Sequence, residues 1–169
     1  AEEKLLSSFG EVMSAPSEIY HNLEDADMVF DAVKNGEGET VEVTGSNFVP
    51  LEMSTDRTLR ENAFHSYYKS YRQHINTMAA TYAGAVKAAT ARSYPSSRAM
   101  SMAGENVPVE VYDNLVATVR KHMPAMHRYV RLRKKMLGVD ALHFYDVYAP
   151  LVGDLKKTYS YETAQQMVL

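Results

Sequence analysis

VPVEVYDNLVATVRKHMPAMHRYVRLRKKMLG, residues 107–138, carries the signals for the longest helix in this 169-residue chain. Pro108 suits the first turn of a helix, and Glu110 lies where the positive end of the helix dipole favours an acidic side chain. Four basic residues between positions 131 and 135 favour the opposite end, and Gly138 offers the left-handed conformation that ends many helices. The stretch is therefore predicted to be one helix with both ends defined by the sequence.

One face of this predicted helix is apolar along its whole length. Its hydrophobic residues recur at steps of three, four or seven, the spacing of a helix that buries one side, and they are Val111, Leu115, Val119, Met123, Met126, Val130 and Leu137. Pro124 removes one backbone hydrogen bond, so we expect the helix to bend there without ending, because the apolar stripe continues beyond it. Both halves are expected to bury the same side against another part of the protein.

The composition is that of a chain able to bury a sizeable core, since 46% of its residues are hydrophobic. Cysteine is absent, which excludes disulfides and thiolate metal sites and is in keeping with a reducing cytoplasm. No apolar run approaches the length of a membrane span, so a soluble protein is expected. Charge is uneven: residues 1–62 carry a net charge of −10 and residues 63–169 a net charge of +7. The two halves could attract each other or face different neighbours.

The first third of the chain is predicted to hold short helices and all of the β-structure. Residues 2–13 have helical periodicity, and Ser14-Ala-Pro-Ser is expected to break that helix and start another. Residues 28–44 are predicted to form a β-hairpin, with Asn35-Gly36 supplying the positive φ of its turn. Asn47 is expected to cap a short helix that follows.

The middle of the chain is predicted to be helical. Asp56 is expected to cap a long helix that bends near His74. Ser93-Tyr-Pro-Ser-Ser is a loop or the start of a new helix, and the long helix of residues 107–138 comes next.

The end of the chain is predicted to be less regular. Residues 141–149 are expected to be extended, and Ser160 to cap a last helix that stops in mid-pattern at Leu169. The predicted fold is mainly α, a multi-helix array with one small β-hairpin, and it looks like a piece of something longer.

The histidines form no zinc signature. A zinc peptidase helix carries two histidines four residues apart with a glutamate beside the first, whereas no pair is four apart among His21, His65, His74, His122, His127 and His143. His122 and His127 come closest, but five residues turn a helix by about 500° and leave the two rings off a common face. Each histidine is interpreted as a solvent or boundary residue, and metal ligation is not expected.

The basic run Arg128–Lys135, with Tyr129 inside it, raises an RNA-binding face as an alternative function. Its charged residues spread around the helix instead of forming a stripe, and acidic segments elsewhere in the chain are able to pair with them. This distribution favours a solvated or intramolecularly paired face.

His143-Phe-Tyr-Asp-Val-Tyr-Ala-Pro is the most informative cluster of polar and aromatic residues. If the segment is extended, its side chains alternate, so that one face packs on helices while the other looks into a cleft. In the alternative interpretation, which the composition favours, an aspartate and tyrosines fix a turn before Pro150. The candidate functional residues of this segment are His143, Tyr145, Asp146 and Tyr148.

Several short blocks occur in an order that resembles one enzyme family. They are Ser14-Ala-Pro-Ser, Asp25-Ala-Asp-Met, Asp56-Arg, Ala79-Ala-Thr-Tyr-Ala-Gly, Ala91-Arg-Ser-Tyr-Pro-Ser-Ser, Val109-Glu-Val-Tyr-Asp-Asn-Leu, His127-Arg-Tyr-Val-Arg-Leu-Arg-Lys-Lys and Tyr145-Asp-Val-Tyr-Ala-Pro-Leu. The chain thereby resembles oligoendopeptidase F, a family of cytoplasmic zinc metallopeptidases related to thimet oligopeptidase. The resemblance covers essentially the whole chain.

The resemblance implies that the chain is a fragment of a larger helical metallopeptidase fold. Residues 1–62 would be the family's small N-terminal helical domain with the hairpin. Residues 63–169 would be the first helices of the catalytic domain, truncated at the C-terminus. The whole enzyme would hydrolyse short peptides with zinc held by a His-Glu-x-x-His motif that lies beyond this chain. The fragment alone would be inactive and would supply scaffold and channel wall.

The same resemblance implies the partners. They are the remainder of the polypeptide and short peptide substrates, with neither a membrane nor nucleic acid expected. No catalytic or metal-binding residue is assigned, and the candidates for the lining of the peptide channel are His143, Tyr145, Asp146 and Tyr148. The alternative is an autonomous, non-catalytic helical interaction or RNA-binding module. A reading frame that continues past Leu169 into His-Glu-x-x-His would favour the peptidase.

Overall fold

The computed structural model describes residues 2–153 and 158–168, and within them it contains eight α-helices and one two-stranded hairpin. The predicted mainly α fold with one small hairpin is confirmed. The elements in chain order are α1 (Glu2–Ser8), α2 (Gly10–Asn22), β1 (Val33–Lys34), β2 (Thr40–Val41), α3 (Phe48–Glu52), α4 (Arg57–Gln73), α5 (Ile75–Ala91), α6 (Ser97–Gly104), α7 (Val109–Leu137) and α8 (Tyr161–Val168). None of the helices described is long and apolar enough to span a membrane.

Helix α4 is the element against which the hairpin packs. Its inner face carries small side chains, and Ala63, Ser66 and Ser70 are buried. The Ser66 hydroxyl donates a hydrogen bond to the carbonyl of Asp31, and the Ser70 hydroxyl donates to the carbonyl of Val29. Two serines one helical turn apart thus satisfy the backbone of the segment that leads into β1.

The hairpin is confirmed, although its ladder is shorter than the predicted range of residues 28–44. Val33 pairs with Val41 across antiparallel strands. The expectation that Asn35-Gly36 supplies the positive φ is wrong, because the left-handed residue of the turn is Gly38, with a φ of 84°. The side-chain oxygen of Asn35 instead accepts the N–H groups of Glu37 and Glu39 and so holds the loop closed.

Four of the predicted caps and boundaries are confirmed. The carboxylate of Asp56 accepts the first free N–H groups of α4, and the Oγ of Ser160 accepts a backbone N–H group in the first turn of α8. His74 separates α4 from α5. The stretch beginning at Ser93 is followed by a new helix, α6, which Ser96 caps. The end of the last helix at Leu169 lies outside the described residues.

Asn47 precedes α3 as expected, but its side chain makes no capping bond to that helix. Its oxygen accepts the N–H of Thr44, and its amide donates to the carbonyl of Glu42. The amide therefore holds the end of the hairpin rather than the start of the helix. Its side chain points backwards along the chain because partners are available there.

The expected break at Ser14-Ala-Pro-Ser is wrong. The chain breaks at Phe9, and α2 runs through Pro16 without interruption. The close packing of α2 on α5 gives the reason, because a Cβ placed on Gly84 of α5 would lie 2.5 Å from Cγ of Pro16. Packing the proline ring against a glycine offsets the hydrogen bond that the proline removes.

Helix α7 is continuous through Pro124, as predicted, and Gly138 ends it in the left-handed conformation with a φ of 65°. The expectation that both of its halves are buried is wrong within the described part of the chain. Leu115 is 59% exposed in the first half, and Met126 is 53% exposed in the second. The stripe faces outward because the described elements cover little of it.

Gly84→Ala should lower the free energy of unfolding by about 1–3 kcal/mol, because the new methyl group collides with the rigid ring of Pro16. A loss of stability is informative, since alanine is otherwise a better helix former than glycine. Gly104→Ala at the end of α6 is the matched control, because nothing lies within 4 Å of an added Cβ there. Urea unfolding measures both variants. A Gly84→Ala chain as stable as the unsubstituted one would show that α2 and α5 do not pack this closely.

Candidate functional site

The segment after α7 forms a turn instead of the predicted extended strand. Phe144–Asp146 make one 3-10 turn, and a carboxylate oxygen of Asp146 accepts the N–H of His143 at 3.0 Å. Tyr145 and Asp146 are neighbours in sequence yet are both buried, which the alternation of an extended strand does not allow. The alternative interpretation, in which the aspartate fixes a turn before Pro150, is what the structure shows.

Two arginines of α4 bind the buried carboxylate of Asp146. Arg57 approaches it with two nitrogens, Nε at 3.1 Å from Oδ1 and Nη2 at 3.1 Å from Oδ2. Arg60 adds Nη2 at 2.8 Å from Oδ1. Residues three apart on a helix share a face, so α4 presents both guanidinium groups to the same carboxylate. Asp146 is itself completely buried.

The arginines also satisfy backbone carbonyls around this carboxylate. Arg60 donates to the carbonyls of Tyr145 at 2.9 Å and Ser54 at 2.8 Å. Arg133, which is buried near the end of α7, donates to the carbonyls of Asp146 and Ala149. We call Arg57, Arg60, Arg133 and Asp146 the arginine cluster. It joins the start of α4, the end of α7 and the turn that follows α7.

The electrostatics of the arginine cluster make Asp146 a structural group. Burial alone would raise the pKa of Asp146, but hydrogen bonds from Arg57, Arg60 and the His143 N–H lower that pKa to about 2. The carboxylate therefore stays ionised at neutral pH. A group with so low a pKa is a poor general acid or base, so its role is to hold the three segments together.

An open aromatic pocket of about 450 Å³ lies beside the turn. Its lining residues come from α3, α4 and the turn, and they are Phe48, Glu52, Phe64, Tyr68, Phe144, Val147 and Tyr148. Phe144 is 80% exposed and Tyr148 is 54% exposed, so both stand at the mouth. The same turn that buries Asp146 thus directs two aromatic rings towards solvent.

Glu52 is the one charged residue that lines this pocket, and it is only 2% exposed. Its Oε1 has no hydrogen-bond partner in the part of the chain described. Burial raises the pKa of Glu52 to about 7, with Arg60 opposing the rise and Asp146 adding to it. Sequence reasoning missed this residue. The available signal was an acidic side chain inside the otherwise apolar run Phe48–Met53.

The four residues expected to be functional occupy different positions. His143 is exposed, and its ring stacks on that of Tyr145 with centroids 5.0 Å apart. Tyr145 is buried, with the guanidinium of Arg57 5.2 Å from its ring centroid. Asp146 is the centre of the arginine cluster, and Tyr148 lines the aromatic pocket. The four residues are therefore grouped around one turn, and two of them, Tyr145 and Asp146, are buried.

The residues that the structure describes do not fit a zinc site. Across residues 2–153 and 158–168, no three histidine, aspartate or glutamate side chains are close enough to hold a metal ion. Most of the basic run is exposed, but Arg133 within it turns inward to backbone carbonyls.

Asp146→Asn should lower the free energy of unfolding at neutral pH by about 3–5 kcal/mol, because it leaves two arginines without their buried counter-ion. Asp31→Asn is the control, because Asp31 pairs with Lys69 at the surface with 68% of its side chain exposed. Asp31→Asn should lower the free energy of unfolding by no more than about 1 kcal/mol. Equal stability of the two variants would contradict the structural role of Asp146.

The pH dependence follows from the same pKa. The pKa of Asp146 is lowered from an ordinary value of 3.8 to about 2. The ionised carboxylate therefore adds about 2 kcal/mol to the free energy of unfolding, and this contribution is fully present above pH 4. That contribution is lost as the pH falls through about 2. Acid unfolding curves should therefore show less loss of stability below pH 4 in Asp146→Asn than in the unsubstituted chain.

Comparison with known proteins identifies the family of this chain. Residues 51–169 match Peptidase family M3. Oligopeptidase PepF of Bacillus subtilis (strain 168) is 41% identical over 172 aligned positions, which cover 99% of this chain and 26% of that protein. Group B oligopeptidase PepB of Streptococcus agalactiae is 41% identical over 167 positions, covering 96% of this chain and 28% of that protein.

Solved structures agree with this assignment. The crystal structure of oligoendopeptidase-F from Enterococcus faecium has a TM-score of 0.82 and 40% sequence identity, and the match covers 92% of this chain and 30% of that one. The chain thus spans about a quarter of the length of the curated relatives it matches. The resemblance found in the sequence is confirmed, and the chain belongs to Peptidase family M3.

Proposed function

We propose that this chain is part of a zinc-dependent oligoendopeptidase that hydrolyses short peptides. In this proposal it supplies scaffold and channel wall, while zinc is held by another part of the polypeptide. The family match over residues 51–169 supports the peptidase, and the names of the relatives support peptides as substrates. The absence of a metal-binding trio from the described residues is compatible with zinc ligands elsewhere.

The observation that carries the scaffold role is the exposed apolar stripe of α7. Its residues are between 37% and 59% exposed, and they are Val111, Leu115, Val119, Met123, Met126 and Val130. A continuous apolar face of this length marks a surface that another part of the protein covers. The proposed partner is the remainder of the same polypeptide, because the relatives are three to four times longer than this chain.

The division into residues 1–62 and 63–169 belongs to the same proposal, with α4 as the element that joins the two parts. His143 and Tyr148 are the candidates with exposed side chains for the lining of a peptide channel. Tyr145 and Asp146 would support that lining from behind. A cytoplasmic location is also part of the proposal, and it rests on the resemblance alone.

The alternative function, a helical interaction or RNA-binding module, has less support. RNA binding requires basic side chains directed outwards in a stripe or patch. Arg133 lies in the middle of the basic run, yet it donates to carbonyls of the following turn. The other basic side chains of the run are exposed, but they spread around the helix instead of forming a stripe.

Residues 1–169 alone should neither retain stoichiometric zinc after dialysis nor hydrolyse peptides, because no ligand set is present among the described residues. The longer natural polypeptide should do both, and EDTA should abolish its hydrolysis. Metal analysis and a quenched-fluorescence peptide assay make the two measurements, with circular dichroism as the control for folding. EDTA-sensitive hydrolysis by residues 1–169 would contradict the proposal, as would a natural polypeptide that binds no zinc.

A further inference from the structure

We propose that the aromatic pocket is a binding site for a cationic group on an apolar stem, with Glu52 as its counter-ion. The group is a lysine or arginine side chain of a peptide, or the ammonium group at a peptide's N-terminus. This inference rests on the proposed function for the identity of the ligand as a peptide. It goes beyond that function in assigning a specific site and a charge preference.

The first support is the state of Glu52. A buried carboxylate oxygen with no partner is costly, and it is normally satisfied by a donor or an ion. Oε1 of Glu52 has no partner in the described part of the chain, although the residue lines an open cavity. Glu52 is therefore a buried and incompletely satisfied carboxylate in the wall of the cavity, and a cation in the pocket can supply the opposite charge that it lacks.

Arg60 does not fill this role. It is the cation whose attraction lowers the pKa of Glu52, yet that pKa is still raised by burial. Its hydrogen bonds go to the carboxylate of Asp146 and to the carbonyls of Tyr145 and Ser54. The hydrogen bonds of Arg60 are thus directed to Asp146 and to backbone carbonyls, and Oε1 of Glu52 receives none of them.

The second support is the arrangement of the rings. Phe64 packs against Tyr68 with centroids 4.6 Å apart and planes inclined at 50°, and it lies parallel to Phe144 at 6.4 Å. Phe48 meets Tyr68 edge to face at 6.0 Å. Faces of several aromatic rings with different orientations attract cations and pack well against aliphatic stems. An anion would meet both these faces and the Glu52 carboxylate, and it would be repelled by them.

The size and openness of the pocket suit such a ligand. Its volume of about 450 Å³ lies within the range of roughly 300–1,000 Å³ that small-molecule sites occupy. The exposed rings of Phe144 and Tyr148 form the mouth. A side chain can enter there while the rest of the peptide remains outside. The turn that carries both rings is fixed by the arginine cluster, so the pocket is preorganised.

Binding is tested by calorimetry on the longest natural polypeptide that contains residues 1–169, treated with EDTA so that no peptide is consumed. The probes are short alanine peptides in matched pairs. One pair has lysine or its uncharged isostere norleucine in the middle, and a second has arginine or citrulline. A third has a free or an acetylated N-terminus. The three pairs distinguish binding of a side-chain cation from binding of the terminal ammonium group.

We expect the charged member of at least one pair to bind about tenfold more tightly than its uncharged partner. Glu52→Gln should abolish this preference, while Glu37→Gln, which removes an exposed carboxylate in the hairpin turn, should preserve it. Tyr148→Ala should weaken binding of the charged member several-fold. Tyr148 is largely exposed, so this second variant remains informative if Glu52→Gln does not fold.

Equal binding of charged and uncharged peptides would overturn the inference, as would a preference that survives both substitutions. A structure of the longer polypeptide with one of its own side chains in the pocket would also overturn it. The outcome is separable from that of the proposed function. Zinc-dependent hydrolysis without a charge preference refutes only this inference, whereas a charge preference in a protein without zinc or hydrolysis refutes only the proposed catalysis.

Discussion

A carboxylate that is removed from water must be surrounded by hydrogen-bond donors, because the desolvation of an unpaired ion costs several kcal/mol. Asp146 is such a group, and its donors come from parts of the chain that are far apart in sequence. Arg57 and Arg60 precede it by more than eighty residues. Arg133 binds the carbonyls on the same turn. The cluster therefore fixes where the end of α7 lies relative to the start of α4.

The same constraint places the candidate binding surface. Once Asp146 and Tyr145 are held inward, the flanking Phe144, Val147 and Tyr148 are directed outward and meet Phe64 beside Glu52. Two acidic side chains near Arg60 thus have pKa values shifted in opposite directions. The pKa of Asp146 is lowered to about 2 by its donors, and the pKa of Glu52 is raised to about 7 by burial. One is satisfied within the chain, whereas the other has an oxygen without a partner.

Local signals in the sequence predicted most of the helix boundaries. Asp56, Ser160 and Gly138 act through their immediate neighbours, so their roles could be inferred from position alone. Pro16 could not be judged in this way, because a contact with Gly84 from a distant helix keeps α2 intact.

The candidate site was predicted only in part. The segment His143–Pro150 was found from its composition, and the turn interpretation proved correct. The sequence did not reveal which residues would be buried, because the counter-ions of Asp146 lie on α4. Glu52 was missed for a related reason, since its importance depends on a pocket built from three separate segments. The apolar stripe of α7 was recognised, but its partner is not among the described elements.

The arrangement depends on the bond between Arg60 and Asp146, and a double-mutant cycle measures the strength of that bond. Arg60→Gln, Asp146→Asn and the double variant are compared by chemical unfolding, so that the coupling free energy of the pair is isolated. We expect a coupling free energy of at least about 2 kcal/mol, as for a buried pair with several hydrogen bonds. A coupling below about 0.5 kcal/mol, typical of exposed ion pairs, would contradict it.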